Sequence, residues 1–189
     1  MSVAEYTIRR YVRDGGIYRP LDRTPLDIDH DFGFIRCKSV SGLNSRGKQS
    51  SVYSESYAGS SSSRVYVSPS PCNASVTATL TVYSFGSDPS EGITLSDSEL
   101  SARCGSAWRS FVDKLEGCLF MLSVPRRDSK GLFYLLDAIE PTTDIVKGVP
   151  YLECPIKLQN VFGRTFSIED TTIESWLDAG GSSSNTNTL

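Results

Sequence analysis

The stretch that most restricts how this chain can fold is SVTATLTVYSFG, residues 75 to 86. Val76, Ala78, Leu80 and Val82 alternate with Thr77, Thr79, Thr81 and Tyr83. A period of two places the first set on one face of an extended chain and the second on the other. The apolar face needs a core, so the chain must build a sheet with at least one covered side. The other face is neither charged nor greasy. Thr and Tyr suit a pleated surface that meets water or another protein.

The second strong signal is helical. SDSE at 96 to 99 has the form of a capping box, with Ser96 three residues ahead of Glu99. Behind it Leu100, Cys104, Ala107, Trp108, Phe111 and Leu115 recur at three- and four-residue spacing, and Gly117 supplies a stop. The spacing predicts a helix whose apolar stripe, Leu100, Trp108, Phe111 and Leu115 included, enters the core beside Val76, Leu80 and Val82.

CLFMLSV and LFYLLDAI then have strand length and flank the polar turn PRRDSKG, which predicts a hairpin. Both runs are apolar on nearly every residue, so both faces should be covered. EPTTDIVKGVP reads as a loop. In YLECPIKLQNVF, Leu152, Cys154, Ile156 and Leu158 alternate with Tyr151, Glu153, Lys157 and Gln159. Pro155 lacks an N–H, which predicts an edge strand or a bulge. Residues 4 to 12 read as a short strand, DGG as a turn, and IYRPLDRTPLDIDHDFGFI as an extended connection. The tract SVSGLNSRGKQSSVYSESYAGSSSSR, residues 39 to 64, is dominated by Ser and Gly. It should be mobile alone, because it cannot bury enough apolar surface to offset its ordering entropy. Tyr53 and Tyr57 make it a candidate binding loop, since tyrosine gives contact area at little entropic cost. SIEDTTIESWLDAG reads as a short terminal helix with Ile168, Ile173, Trp176 and Leu177 apolar, and GSSSNTNTL as a flexible tail.

The fold class expected is mainly β (α+β): an antiparallel β-sandwich or barrel-like sheet flanked by one main helix, with a long Ser/Gly-rich loop. One domain should span residues 1–166, with the short helix and tail over 167–189. The length of 189 residues, 39% of them hydrophobic, suffices for one good core. No run approaches the roughly 18 apolar residues of a membrane span, and the N-terminus has no signal-peptide core, so the expectation is folding in cytoplasm, away from membranes. Five scattered cysteines, Cys37, Cys72, Cys104, Cys118 and Cys154, form no C-x-x-C pair and read as thiols.

The residues offer little chemistry. A net charge of −3 gives no overall pull toward nucleic acid. Arg9, Arg10, Arg13 and Arg19 cluster near the N-terminus and read as a solvated face rather than a phosphate site. His30 is the single histidine, which barely permits a histidine triad or a multi-histidine metal site. Asp27, Asp29 and Asp31 alternate before Gly33, but a helix–loop–helix calcium loop wants glycine sixth and glutamate twelfth, where Phe32 and Lys38 stand. Asp137, Glu140 and Asp144 fit a polar rim. No catalytic residue, metal ligand or cofactor is therefore assigned, and function should rest on binding or structure. Edge strands, the Thr/Tyr face and the tyrosine-bearing tract favour self-assembly. A monomeric binding module is the alternative, and an enzyme is third.

One order of elements resembles a known family. Strand ATLTVYSFG, helix LSARCGSAWRSFVDKLEG, hairpin CLFMLSVPRRDSKGLFYLLDAI, loop EPTTDIVKG and strand YLECPIKLQNVFGR resemble tailed-phage tail proteins of the tail-tube fold, distal tail proteins and tube subunits among them. The resemblance spans residues 64 to 166 and rests on element order. It implies a β-sandwich flanked by one helix and a virion protein assembled in the host bacterial cytoplasm. It further implies rings, commonly hexameric, around a channel that DNA passes through without sequence recognition. Partners would be other copies and neighbouring tail or baseplate proteins. Thr77, Thr79, Thr81 and Tyr83 would meet a neighbour or the lumen, and Tyr53 and Tyr57 would sit on a loop that orders on contact. The alternative within this setting is a monomeric adaptor such as a head–tail connector or baseplate accessory.

Overall fold

The computed structural model describes residues 5–43, 52–56, 63–67, 77–86, 96–146 and 149–181. In chain order these form β1 (Thr7–Asp14), β2 (Ile17–Pro20), β3 (Leu26–Asp27), α1 (Ile28–Asp31), β4 (Ile35–Ser41), β5 (Val52–Ser56), β6 (Ser63–Val67) and β7 (Thr77–Phe85). There follow α2 (Asp97–Leu115), β8 (Leu119–Val124), β9 (Ser129–Ala138), β10 (Thr142–Val146), β11 (Val149–Asn160) and α3 (Thr172–Asp178). The fold is mainly β. A nine-stranded sheet runs in the order β2-β1-β8-β9-β11-β7-β4, with β3 beside β1 and β10 beside β11, and its pairs are antiparallel. It is one open sheet rather than the two packed sheets of a sandwich.

The period of two decides which residues the sheet buries. On β7, Ala78, Leu80 and Val82 are buried in the main core, and Thr79, Thr81 and Tyr83 on the other face are half-buried. Val76 lies outside the described residues. Helix α2 lies on the apolar face, and its buried residues are Leu100, Cys104, Trp108, Phe111, Val112 and Leu115. Glu99 accepts hydrogen bonds from the backbone N–H (3.0 Å) and the hydroxyl (2.7 Å) of Ser96, which starts the helix. Gly117, with φ +69°, lets the chain leave it. Ile8 of β1 and Ile35 of β4 come from opposite ends of the sheet yet share one core with α2. The sheet therefore wraps the helix.

The second face is covered over one half. Tyr11, Met121 and Leu132, from β1, β8 and β9, pack against Phe166, Ile173 and Leu177. This explains the two-sided apolar runs of the β8–β9 hairpin as far as Phe133; beyond it Tyr134 and Leu136 are exposed, so the expected cover on both faces does not extend to the end of β9. A seven-residue helix is well below the roughly 12–15 residues an isolated helix needs, so α3 exists through its packing. Lys130 of β9 adds an ion pair to Glu174 (2.7 Å), and Lys130 and Phe166 exchange backbone hydrogen bonds of 2.8 Å.

Several local expectations give way to pairing. The EPTTDIVKG segment is not a loop throughout, because Thr142–Val146 pairs with β11. The connection after DGG carries β2, β3 and α1, and Gly15 and Gly16, at φ +59° and +96°, turn β1 into β2 by a two-residue hairpin. Within 39–64, Ser39 to Ser41 complete β4, and β5 pairs antiparallel with β6. The tract is therefore not a single loop; its residues 44–51 and 57–62 lie outside the described residues. Strand β11 is not an edge either, since β7 pairs along one side of it and β9 then β10 along the other. Pro155 is tolerated because the β9 ladder stops at Ile156↔Ala138 and the β10 ladder starts at Glu153↔Thr142. Its carbonyl accepts from the Ile139 N–H (3.1 Å), so the missing Pro N–H faces this gap.

Phe111 is 1% exposed and meets Phe32 edge-on, with ring centroids 5.0 Å apart. Phe111→Ala should cost about 3–5 kcal/mol and Ile173→Ala about 2–5 kcal/mol. Both losses should appear in one unfolding transition in urea. A separate transition for Ile173→Ala would show that α3 folds apart from the sheet.

Candidate functional site

Helix α3 leaves the other half of the second face, over β11, β7 and β4, without a covering helix among the described residues. Thr77, Thr79, Thr81, Tyr83 and Phe85 form its central row. On β11 they stand opposite Gln159, Lys157, Pro155, Glu153 and Tyr151 respectively. On β4, Ser41, Ser39 and Arg36 oppose Thr79, Thr81 and Tyr83. One end of this face is thus a polar area of Thr, Ser and Gln with the exposed Lys157 among them. The other end is aromatic. Tyr83 and Tyr151 meet edge-on at 4.9 Å, and Phe85 lies 5.8 Å from Tyr151.

Among the described residues a single ion pair crosses this face. The β4–β7 register slips between Cys37 and Ser39, so Lys38 is an extra residue. Its ammonium lies 5.4 Å from the centre of the Tyr83 ring and 2.7 Å from the carboxylate of Glu153. β4 and β11 flank β7, so the lysine stem spans the central strand. The hydrogen bond to Glu153 holds the Lys38 ammonium above its usual pKa. Both side chains are partly exposed, so the pair orients the surface more than it stabilises the fold.

The structure brings Thr77, Thr79, Thr81 and Tyr83 onto this one face. It does not bring the tract's tyrosines there by pairing: Tyr53 lies in β5 opposite Tyr66, in a two-stranded sheet separate from the large one, and Tyr57 lies outside the described residues. The sequence alone does not show that Lys38, Glu153, Phe85 and the buried Tyr151 surround Tyr83. Tyr151 and Glu153 do show the alternation, but only the register sets them beside Tyr83.

The remaining candidate groups serve the backbone. Asp27 accepts from the Asp29 N–H (2.9 Å), Asp31 from the Asp27 N–H (2.7 Å) and Asp29 from the Cys37 N–H (2.6 Å). These three carboxylates shape the β3–α1–β4 corner. Burial pushes the Cys37 and Cys154 thiols up to about 12, Cys37 with help from Asp29 and Cys154 with help from Cys104. Neither is a thiolate at neutral pH. Of the N-terminal arginines, Arg19 pairs with Asp14 at 3.1 Å and Arg9 reaches the carbonyls of Asp22 and Arg23. Arg10 grips Asp22 through Nη2–Oδ1 (2.7 Å) and Nε–Oδ2 (3.0 Å), while its own backbone N–H donates to Oδ2 (2.9 Å).

No protein-family model matches the chain, and no curated protein does. Among solved structures it is similar to a chain from the structure of the phage p2 baseplate in its activated conformation with Sr. The two are 12% identical with a TM-score of 0.41, over 82% of this chain and 44% of that one. The chain therefore spans less than half the length of that neighbour.

Asp22 is 8% exposed. Burial pushes its pKa up, but the side-chain and backbone hydrogen bonds from Arg10, together with its charge, outweigh this and hold the carboxyl below its ordinary value. A depressed folded pKa gives stability that is present above the unfolded value and is lost as pH falls through the folded one. Asp22→Asn should therefore cost about 1.5–3 kcal/mol at pH 7. The gap between parent and variant should narrow as pH drops below about 4, the ordinary aspartate value. Urea unfolding across pH 2 to 7 reads this, and parallel profiles for the two proteins would refute it.

Proposed function

We propose that this chain is a structural protein of a bacteriophage or prophage-derived tail. In this reading it is a virion subunit that assembles with its own copies into a ring, of hexameric type, lining or terminating the channel through which DNA passes. It acts without a cofactor and is not an enzyme. The observation that carries the reading is the uneven cover of the second sheet face. One half is buried beneath Phe166, Ile173 and Leu177, and the other, among the described residues, presents Thr77 and the half-buried Thr79, Thr81 and Tyr83, with Tyr151 buried beside Tyr83. Threonine and tyrosine on a pleated surface give hydrogen-bonding groups and contact area with little ordering entropy. The resemblance in element order over residues 64 to 166 supports the same setting.

Two further features support a structural role. The polar groups that resemble catalytic or metal-binding sets are engaged by backbone N–H groups or arginine, and the buried thiols are held neutral. The net charge of −3 suits a channel wall that does not retain a phosphate backbone, which binds through Lys and Arg. Both edges of β7 are paired, so a neighbouring subunit meets this strand through its face and not by adding a strand to it. Among the described residues β2 and β4 end the main path of the large sheet, and β3 and β10 each pair along one side only, and at such edges a neighbour can extend the ladder.

Thr79→Glu and Thr81→Glu place a carboxylate on the half-buried Thr/Tyr face, on the side of β7 away from the main core. Circular dichroism melts should stay close to the parent, because surface changes of this kind fall within about ±0.5 kcal/mol. Mass photometry and negative-stain microscopy, alone and with neighbouring tail proteins, should show fewer rings. Unchanged assembly of both variants, or a parent that stays monomeric at high concentration and beside those proteins, would favour the monomeric adaptor.

A further inference from the structure

Five of the seven large apolar side chains exposed among the described residues lie at one end of the large sheet. There β8 starts at Leu119, paired with Tyr11 on β1 and Tyr134 on β9. Both of those strands run on past it, to Asp14 and Ala138. Beyond that level the helices cover neither face. Helix α2 stops over Arg10, whose guanidinium donates to the Lys114 carbonyl at 3.3 Å. Val12 and Ile17, further along the β1–β2 hairpin, are 37% and 39% exposed. On the other face α3 packs over Tyr11, Met121 and Leu132, and Tyr134 and Leu136 beyond them are 41% and 49% exposed.

The two groups point to opposite faces. Val12 shares the side of Ile8, a main-core residue, and Ile17 stands opposite Asp14 on that side. Leu21, 52% exposed, donates its N–H to the Arg10 carbonyl and adds to this group. Tyr134 and Leu136 share the side of Leu132. Within one sheet the groups cannot cover one another, but two copies set head to tail can bring them together. Their surroundings differ in charge. The hairpin and its return carry Arg9, Arg10, Arg13, Arg19 and Arg23 against Asp14 and Asp22, a net +3. Arg10 pairs with Asp22 and Arg19 with Asp14, so the excess lies on Arg9, Arg13 and Arg23. Around Leu136 stand Glu116, Asp137 and Glu140, with Lys157 opposite Asp137, a net −2. The surface there is also concave: Leu135 to Ala138 line an open cleft of about 870 Å³ that Glu116 to Leu119 border.

Given the reading above, that copies of this chain assemble, we propose that the β1–β2 hairpin of one copy docks through Val12, Ile17 and Leu21 on Tyr134 and Leu136 of a second copy. This contact is separate from the Thr/Tyr row of β7. Each copy offers its hairpin to one neighbour and its Leu136 cleft to another. Such a heterologous contact closes into a ring when the rotation between copies allows. The apolar side chains supply the area that leaves water, and the basic hairpin and the acidic rim of the cleft set the orientation.

Ile17→Asp and Leu136→Asp test this by mass photometry and sedimentation velocity, with circular dichroism melts beside them. Both sites are exposed, so the melts should match the parent. Leu21→Asp and Tyr134→Asp replace either variant that melts early. Each variant alone should associate at least about tenfold more weakly than the parent, because a carboxylate without a partner enters an apolar contact. An equimolar mixture, with the two chains carrying different fluorophores, should recover one intact contact: the hairpin of Leu136→Asp on the cleft of Ile17→Asp. The product is a pair of unlike chains. A variant that assembles as the parent does, or a mixture that recovers no pair, overturns this contact while the ring reading stands. A parent that stays monomeric at high concentration, alone and beside other tail proteins, overturns both.

Discussion

The ladder between β11 and its neighbours is the constraint on which the rest of the molecule depends. β7 pairs with it along one side from Tyr151↔Phe85 to Gln159↔Thr77, and β9 and β10 divide the other side between them. Side chains alternate with period two, so this register alone decides that Leu152, Cys154, Ile156 and Leu158 join Leu80 and Val82 beneath α2. A slip of one residue would put Glu153 and Lys157 into the core. Register and core packing enforce one another here, and the proline in the middle of β11 survives because its missing donor falls where β9 has handed over to β10.

From that central ladder the sheet extends in two unlike directions. Toward β9, β8 and β1 it carries apolar residues on both faces, covered by α2 on one and by the segment carrying α3 over Tyr11, Met121 and Leu132 on the other, while Tyr134 and Leu136 at the far end of β9 stay exposed. Toward β7 and β4 it is apolar on one face only. The difference lies in the side chains themselves. Met121 and Leu132 would leave greasy surface in water, whereas Thr79 and Thr81 would not. The turn at 161–165 makes the two-sided half possible. Buried Asn160 accepts from the Phe162 N–H (2.9 Å) and donates to the Arg164 carbonyl (3.1 Å), returning the chain so that Phe166 can pair with Lys130.

Much of this was legible in the amino-acid order because it depends on local periods. The alternation around Leu80, the stripe from Leu100 to Leu115 with its Ser96–Glu99 start, and the β8–β9 hairpin each declare themselves within about a dozen residues. What was not legible depends on partners distant in sequence. Pro155 reads as an edge signal until the gap between β9 and β10 is known. Thr142–Val146 is too short and mixed to announce a strand, and only the long partner β11 makes it one. Asp27, Asp29 and Asp31 resemble a ligand set because nothing local shows that their acceptors are needed by the N–H groups of a tight corner. Asp22 gives no local hint that Arg10 will close on it across a turn. The surface around Tyr83 was half legible, as alternation without register.

The exposed half of the face is also the half with most freedom to diverge in charge, and its one charged bridge shows how that freedom is limited. Lys38 reaches Glu153 only because the bulge at the β4–β7 pairing puts an extra residue there. The bridge spans the aromatic end of the face, over Tyr83, and leaves the Thr-lined end uncharged along β7. The face thus carries a fixed dipole at one end and, at the other, hydrogen-bonding hydroxyls beside the exposed Lys157. Such a surface can orient a partner without gripping it. Orientation set by one salt-sensitive pair, with area supplied by Tyr83 and Phe85, suits the proposed role of this face as an assembly surface.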